Sequence, residues 1–165
     1  MRRILVAALC ALVTVAAGEA SNPPGYTQFD LAQQAKLQSD VGVWHCVSVP
    51  AATTPLSITE NEQGNWFVAR EGGDNQATSY ERWSHALKAY VIITISDSGA
   101  SNVLQTTSLD PHNGTWTPMW PALDNQGRKR FDDHVLRTGN VLHSSTHFYD
   151  AQGKVQTSTT TCTKQ

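Results

Sequence analysis

The chain has 165 residues, with 12 Lys and Arg against 14 Asp and Glu, for a formal net charge of −2. This length fits a single domain of ordinary size. The mildly acidic balance and the lack of a long Lys- or Arg-rich run exclude nucleic acid as an expected partner, because phosphates require a basic surface.

The N-terminus has the layout of a secretory signal peptide. A short basic head, Met1-Arg2-Arg3, precedes an apolar run that ends in small residues near Ala17. An uncleaved membrane anchor is the alternative, but the run is shorter than the roughly 20 residues that a spanning helix needs. We therefore predict that residues 1–20 are a cleaved signal peptide, that no segment spans a membrane, and that the mature protein is secreted or periplasmic.

Two segments precede the first predicted strand. Residues 21–28 are polar and contain Pro and Gly, which predicts a flexible leader. Over residues 29–39, apolar residues and glutamines mix without Gly or Pro, so we predict one short helix with Asp30 as the cap of its first turn and Gly42 as its end. Because its apolar side is thin, we expect this helix to lie across an opening of the fold or along its wall.

From Gly42 onward, turn signals recur about every ten residues and separate short segments rich in strand formers. This spacing predicts a sandwich or barrel. Short hairpin links favour an up-and-down meander, whose closure removes exposed sheet edges. We therefore predict an all-β domain over residues 29–165, an antiparallel up-and-down barrel of about 8–10 strands. The strand segments are 42–49, 56–59, 66–71, 78–84, 89–95, 102–108, 115–120, 128–137, 141–149 and 155–163.

Two cysteines remain once Cys10 leaves with the signal peptide. An exported protein with two cysteines usually pairs them, so we predict a disulfide between Cys46 and Cys162. Such a bond would tie the first strand to the last. The alternative is two free thiols that never meet.

The order of a short helix, then Gly42-x-Trp44, then a meander that returns beside its first strand resembles the lipocalin-like (calycin) barrels. With Trp44-x-Cys46 early and Thr161-Cys162-Thr163-Lys164 at the end, the chain is most similar to small exported bacterial barrels near the fatty-acid-binding and nitrobindin types. The resemblance implies that Trp44 plugs the closed end of the barrel. It also implies an Arg stacked on that Trp, for which Arg128 and Arg130 are the candidates.

Aromatic residues are numerous, and in a barrel the inward face forms both the core and any ligand cavity. Trp116 and Trp120 lie on one side of one strand around Pro118, which indicates a wall or lip. Aromatic side chains with a few polar groups suit a small apolar or planar guest. The candidate ligand-binding residues are Trp44, Trp66, Tyr80, Tyr90, Trp116, Trp120, His143, His147 and Tyr149.

The ionisable residues form no recognisable catalytic or metal motif. His143 and His147 share one face of a strand but lie roughly 13 Å apart, too far to grip one metal as a pair. His45 or His134 would complete a cluster only in a suitable register. In Asp132-Asp133-His134 the adjacent carboxylates point to opposite faces, and no nucleophile elbow is present. We predict no catalytic residue, no metal site and no cofactor, with haem on a histidine as the alternative.

The function predicted is that of an exported, non-catalytic barrel that binds a small hydrophobic or aromatic molecule. The alternatives are a filled barrel that acts through its outer surface as a structural or interaction module of the cell envelope, a haem-binding barrel, and a barrel enzyme that uses His143 or His147 as a base. Which face of the first strand points inward is open. Trp44 favours one set of side chains, and Val43 and Val47 favour the other.

Overall fold

The structure is a computed structural model that describes residues 23–50, 56–72, 76–97, 99, 101–120, 131–150 and 152–165. The predicted signal peptide, residues 1–20, lies outside the described residues, as do Arg128 and Arg130. Tyr26, within the segment predicted as a leader, donates a hydrogen bond to the main-chain carbonyl of Trp83.

One helix precedes ten strands in the described part of the chain. A 3-10 turn, Leu37–Asp40, joins the helix to the first strand. The elements are α1 (Gln28–Lys36), β1 (Gly42–Val49), β2 (Leu56–Gln63), β3 (Trp66–Gly72), β4 (Ala77–Ser84), β5 (Ala89–Ser96), β6 (Ser101–Thr106), β7 (Asn113–Trp120), β8 (Phe131–Thr138), β9 (Val141–Tyr149) and β10 (Val155–Lys164).

The described strands form one closed antiparallel barrel in which each strand pairs with the next along the chain and β10 returns beside β1. Tight hairpins make this order possible. Gly64 between β2 and β3 and Gly139 between β8 and β9 have φ values of 63° and 61°, which residues with a side chain rarely adopt. The predicted all-β, up-and-down barrel behind one short helix is therefore confirmed.

The predicted disulfide is also confirmed. Cys46 on β1 stands directly opposite Cys162 on β10, and their sulfur atoms are bonded. The bond closes a loop of 116 residues across the seam of the barrel. Loop-closure entropy gives such a cross-link a stabilising effect of about 4–5 kcal/mol.

The first strand turns its aromatic side inward. Trp44 and Cys46 are buried, whereas Val43, His45 and Val47 are exposed on the outer wall. The indole Nε1 of Trp44 donates a hydrogen bond of 2.8 Å to the main-chain carbonyl of Asp40. This bond explains why the indole, and not the valines, faces inward: its one polar atom has a partner there.

A basic side chain stacks on Trp44, as the resemblance implied, but it comes from a different place. The guanidinium of Arg137, near the end of β8, lies 5.0 Å from the centre of the Trp44 ring. The ammonium of Lys164 lies 5.6 Å from the same centre. Arg137 therefore takes the position for which Arg128 and Arg130 were considered.

Thr27, not Asp30, caps the helix. The hydroxyl of Thr27 accepts from the backbone amide of Asp30, and the Asp30 carboxylate accepts from the Thr27 amide at 2.9 Å, which together form a capping box. Asp30 is thus the third helical residue, where a carboxylate also complements the positive end of the helix.

The helical segment covers one end of the barrel. Leu37 is fully buried in the main apolar cluster with Phe67, Trp83, Tyr90 and Trp116. Among the described residues, no helix has the length and apolar character needed to cross a bilayer. The weakly apolar helix is instead held by hydrogen bonds that Trp83 and Tyr90, beneath it, donate to the buried side chains of Asp30 and Gln33.

Candidate functional site

The barrel interior contains a cavity of about 430 Å³ next to Trp44. Cavities of this size accept small organic molecules. Its wall has apolar, acidic and other polar side chains. The apolar ones include Trp44, Ile58, Ile92, Trp116, Val135 and Leu142, the acidic ones are Asp40, Glu60, Glu71, Glu81 and Asp133, and the other polar ones are His112, Ser144, Thr146 and Thr160.

Three of the acidic side chains converge. Asp40 at the end of the 3-10 turn, Glu60 on β2 and Glu81 on β4 bring carboxylate oxygens within 4.8 Å of one another. The strand register explains the meeting, because Glu60 pairs with Gly42 and Glu81 pairs with Phe67, both at inward positions. The fold thus concentrates carboxyl groups at one place in the cavity.

Among the described residues, the basic side chains nearest to this acidic cluster contact Asp40 or the 3-10 turn, and not Glu60 or Glu81. Arg137 forms an ion pair of 2.7 Å with Asp40, and His112 lies 2.6 Å from the other oxygen of the same carboxylate. Lys164 donates to the main-chain carbonyl of Ser39 at 2.8 Å. Asp40 is therefore well compensated, and the basic side chains around the cavity are directed toward it and the 3-10 turn.

Glu60 is the exception in this arrangement. Its side chain is buried, with only 7% of the residue exposed, and its Oε1 has no hydrogen-bond partner among the described residues. Burial, reinforced by the negative charge of Asp40, raises the pKa of Glu60 to about 8. A buried carboxyl without a partner is costly, so Glu60 either holds a proton at neutral pH or requires a cation.

The pKa of Glu81 is raised as well. Burial, together with the charges of Glu60 and Asp40, raises the pKa of Glu81 well above its ordinary value. Burial alone raises the pKa of Glu71, further along the same wall. The cavity therefore favours the protonated form of these carboxyls, and a bound cation can replace the proton of Glu60.

Three of the predicted ligand-binding residues point inward. Trp44 and Trp116 line the cavity itself. Tyr90 is fully buried beneath the helix, where its hydroxyl donates to the side-chain oxygen of Gln33 at 3.0 Å. The side chain of Trp120 lies outside the described part of the structure.

The other predicted binding residues lie on the outer wall. Trp66 and Tyr80 form an edge-to-face pair with ring centres 6.3 Å apart, and Arg82 covers Trp66. His143, His147 and Tyr149 project outward from β9, since they alternate with the inward-facing residues of that strand. The structure therefore divides the predicted set between two surfaces.

The histidines are placed in a way that bears on the haem and enzyme alternatives. His112 is the histidine that lines the cavity in the described structure, and it is bound to Asp40. His143 and His147 are outside the barrel, away from the interior carboxyls. A shallow groove on that outer wall is lined by Thr115, His134, His143, Ser145, Thr159 and Thr161, among other residues.

Two clusters of the described residues have the side-chain types and spacing that hold metal ions. One is the interior set of Asp40, Glu60 and Glu81. The other consists of Asp132, His134 and His147 on the outer wall. The sequence analysis named Asp132, His134 and His147 but did not join them into one site, because the register was open. It missed the interior set, although Glu81 had a signal, since it is a carboxylate at an inward position of an otherwise apolar or small-residue strand face.

Comparison with known proteins adds no assignment. The chain matches no model of a known protein family, and no curated protein sequence is significantly similar to it. The function has to be inferred from the cavity and its chemistry.

Proposed function

We propose that the protein binds a small organic cation with an apolar body inside the barrel. The single observation that carries this proposal is the buried carboxyl of Glu60, whose Oε1 has no partner among the described residues and which lines a cavity of about 430 Å³. A guest with a protonated amine would supply the missing donor and the missing charge together.

The apolar and the acidic side chains of the wall suit the two parts of such a guest. The ammonium group would lie against Glu60 and Glu81, where the low local dielectric strengthens the ion pair and its hydrogen bonds. The apolar body would pack on Trp44 and Trp116, which offer large flat surfaces. This refines the predicted hydrophobic or aromatic guest, because a purely apolar guest would leave Glu60 without a partner.

The class and location of the protein are part of the proposal. A closed meander, an inward Trp44 and a basic side chain stacked on it support a lipocalin-like barrel. The Cys46–Cys162 bond supports an oxidising compartment, and so a secreted or periplasmic protein. The cavity also favours a binding role over a filled barrel that acts through its exterior.

Three indole compounds of nearly equal size test the proposal. Tryptamine carries an ammonium group, tryptophol a neutral hydroxyl and indole-3-propionate a carboxylate. We expect isothermal titration calorimetry at about pH 8.5, where Glu60 is largely ionised, to rank tryptamine first, at least about tenfold tighter than tryptophol, with the anion weakest. Equal affinities, or no saturable binding of tryptamine, would refute a cation site.

A pair of variants locates the binding. Glu60→Gln removes the buried charge and is expected to weaken tryptamine binding at least about 30-fold, as when one member of a buried charge pair is lost. Glu62→Gln makes the same change at an exposed position of the same strand and should leave the affinity unchanged. Equal losses in both variants would place the binding outside the cavity.

A further inference from the structure

A second cluster lies on the outer wall, on the opposite side of the sheet from the cavity. Asp132 and His134 are two residues apart on β8 and therefore share its outer face. The register places His147 of β9 directly opposite Asp132. The three side chains come from adjacent strands, so the rigid ladder between β8 and β9 fixes their separation.

The two histidines converge on one carboxylate oxygen of Asp132. Oδ1 of Asp132 lies 3.0 Å from Nδ1 of His147 and 3.4 Å from Nε2 of His134. The two imidazole rings meet edge to face, with their centres 5.1 Å apart. All three potential ligand atoms lie within 4.8 Å of one another.

Each end of the cluster is held by a further polar group. The hydroxyl of Tyr149 donates to Oδ2 of Asp132 at 2.8 Å, which leaves Oδ1 directed at the histidines. Nδ1 of His134 forms a hydrogen bond of 2.8 Å with Oγ1 of Thr115. When Nδ1 carries the proton of that bond, neutral His134 turns the lone pair of Nε2 toward the Asp132 carboxylate. Such outer partners, which fix the ring and its tautomer, are typical of histidines that bind metals.

We propose that Asp132, His134 and His147 form a binding site for a divalent transition-metal ion such as Zn²⁺. Two imidazoles and one carboxylate are the ligands that Zn²⁺ and its neighbours prefer, whereas Ca²⁺ and Mg²⁺ prefer oxygen alone. In a tetrahedral site with bonds of about 2.1 Å, ligand atoms lie roughly 3.4 Å apart. The separations of 3.0 Å and 3.4 Å to Oδ1 of Asp132, and of less than 4.8 Å among all three atoms, lie close to that spacing.

The position of the ion follows from the exposure of its ligands. Asp132 is buried at the base, while the side chains of His134 and His147 are 50% and 29% exposed. An ion would therefore enter from solvent, and its fourth coordination position would face outward. In the tautomer with the proton on Nδ1 of His134, a cation between Nε2 of His134 and Oδ1 of Asp132 also removes the repulsion between the Nε2 lone pair and the carboxylate.

The test uses mature, tag-free protein and Zn²⁺ as the probe. We expect calorimetry at about pH 7.5 to show one Zn²⁺ per chain, with proton release in proportion to any imidazole deprotonated on binding. His134→Gln should weaken binding at least about 100-fold, and Tyr149→Phe about tenfold, because the former removes a ligand and the latter only its support.

His143→Gln is the matched control. His143 projects from the same outer face of β9, four residues from His147, and bonds to Thr161 rather than to the cluster. This variant should keep its Zn²⁺ affinity within about twofold. An equal loss in His143→Gln and His134→Gln, or a stoichiometry that follows the number of exposed histidines, would show adventitious binding and overturn the proposal.

A second measurement needs no variant and so does not depend on folding. Zn²⁺ should shift the imidazole ¹⁵N resonances of His134 and His147 and leave those of His143 and His45 unchanged. Shifts spread over all exposed histidines, or no shift at saturating Zn²⁺, would contradict the site. Because the ion binds outside the barrel, tryptamine binding is a separate result: it should be the same with and without Zn²⁺.

Discussion

Two buried carboxyls in this barrel have opposite surroundings. Asp30, in the first turn of the helix, is completely buried and accepts hydrogen bonds from Thr27, Trp83 and Lys88, with His85 at 2.7 Å. Glu60 is almost as buried, but its Oε1 has no partner among the described residues. Hydrogen bonds therefore compensate the burial of the Asp30 carboxylate, whereas Glu60 has no such compensation among the described residues.

The pKa values of the two groups move in opposite directions for this reason. Burial would raise the pKa of Asp30, but hydrogen bonds from Thr27, Trp83 and His85 outweigh it and hold that pKa well below its ordinary range. At Glu60, burial and the charge of Asp40 raise the pKa to about 8. A carboxylate with all its partners secures the fold, whereas one without them is a place for a ligand.

The largest effect on stability is expected from Asp30→Asn. The amide keeps the size of the side chain but removes the charge that Lys88 and His85 face and one of its acceptor oxygens. We expect the melting temperature at pH 7 to fall by on the order of 10 °C, as when a buried, hydrogen-bonded charge loses its counterpart. Differential scanning calorimetry measures this, with Glu62→Gln as the exposed control.

The pH dependence of that effect has a definite sign. Because the folded pKa of Asp30 is depressed, its stabilising contribution is present above its unfolded value of 3.8 and is lost as pH falls below that value. The difference between the variant and the wild type should therefore shrink in acid. A difference that grows below pH 4 would mean that the carboxylate is not what stabilises the helix.

Glu60→Gln is expected to act in the opposite direction. A raised folded pKa means that the wild type loses stability as pH rises from 4.5 to about 8, because the unfolded chain ionises first. The variant avoids this loss and should be more stable by roughly 2–5 kcal/mol at pH 8 and above, with little difference near pH 4.5. Urea unfolding at several pH values measures it; a destabilised variant at pH 8 would contradict the unpartnered carboxyl.

Glu71→Gln should have the smallest effect of the three. Burial alone raises the pKa of Glu71, and no neighbouring charge adds to it. Stabilisation at pH 8 should therefore have the same sign as for Glu60→Gln but be smaller. The same unfolding series ranks the two variants, and the reverse order would contradict the larger rise in the pKa of Glu60.

The number of protons released when the ligand binds also tests the raised pKa of Glu60. At pH 7 the free protein holds a proton on Glu60, and the ammonium of tryptamine should displace close to one proton. Titrations in buffers of different ionisation enthalpy measure this number. Affinity should rise by up to about tenfold per pH unit between pH 6 and 8, and Glu60→Gln should remove most of that slope.

The fold was largely predictable because its signals are local. Alternating strand formers, regular turns and the pair of Cys46 and Cys162 each depend on a short stretch or on composition. The sequence left open whether Trp44 or Val43 and Val47 face inward. The hydrogen bond from the Trp44 indole to the Asp40 carbonyl explains why Trp44 does. The observed helix cap, Thr27, lies three residues before the predicted one, Asp30, because both residues have capping side chains.

The sites were not predictable because they depend on register. Glu60 and Glu81 are 21 positions apart in the chain and meet only through the pairing of β2 with β3 and β3 with β4. Arg137 reaches Trp44 across the barrel end for the same reason. His134 and His147 come together only once β8 and β9 are paired in the observed register.

The central claim is that Glu60 is a buried carboxyl kept available for a cation. Its pKa can be measured directly by following the side-chain carboxyl ¹³C resonance over a pH titration, first in the free protein and then with saturating tryptamine. We expect a pKa of about 8 without the ligand and a fall to below about 6 with it. A free value near 4.5, or a value that tryptamine leaves unchanged, would contradict it.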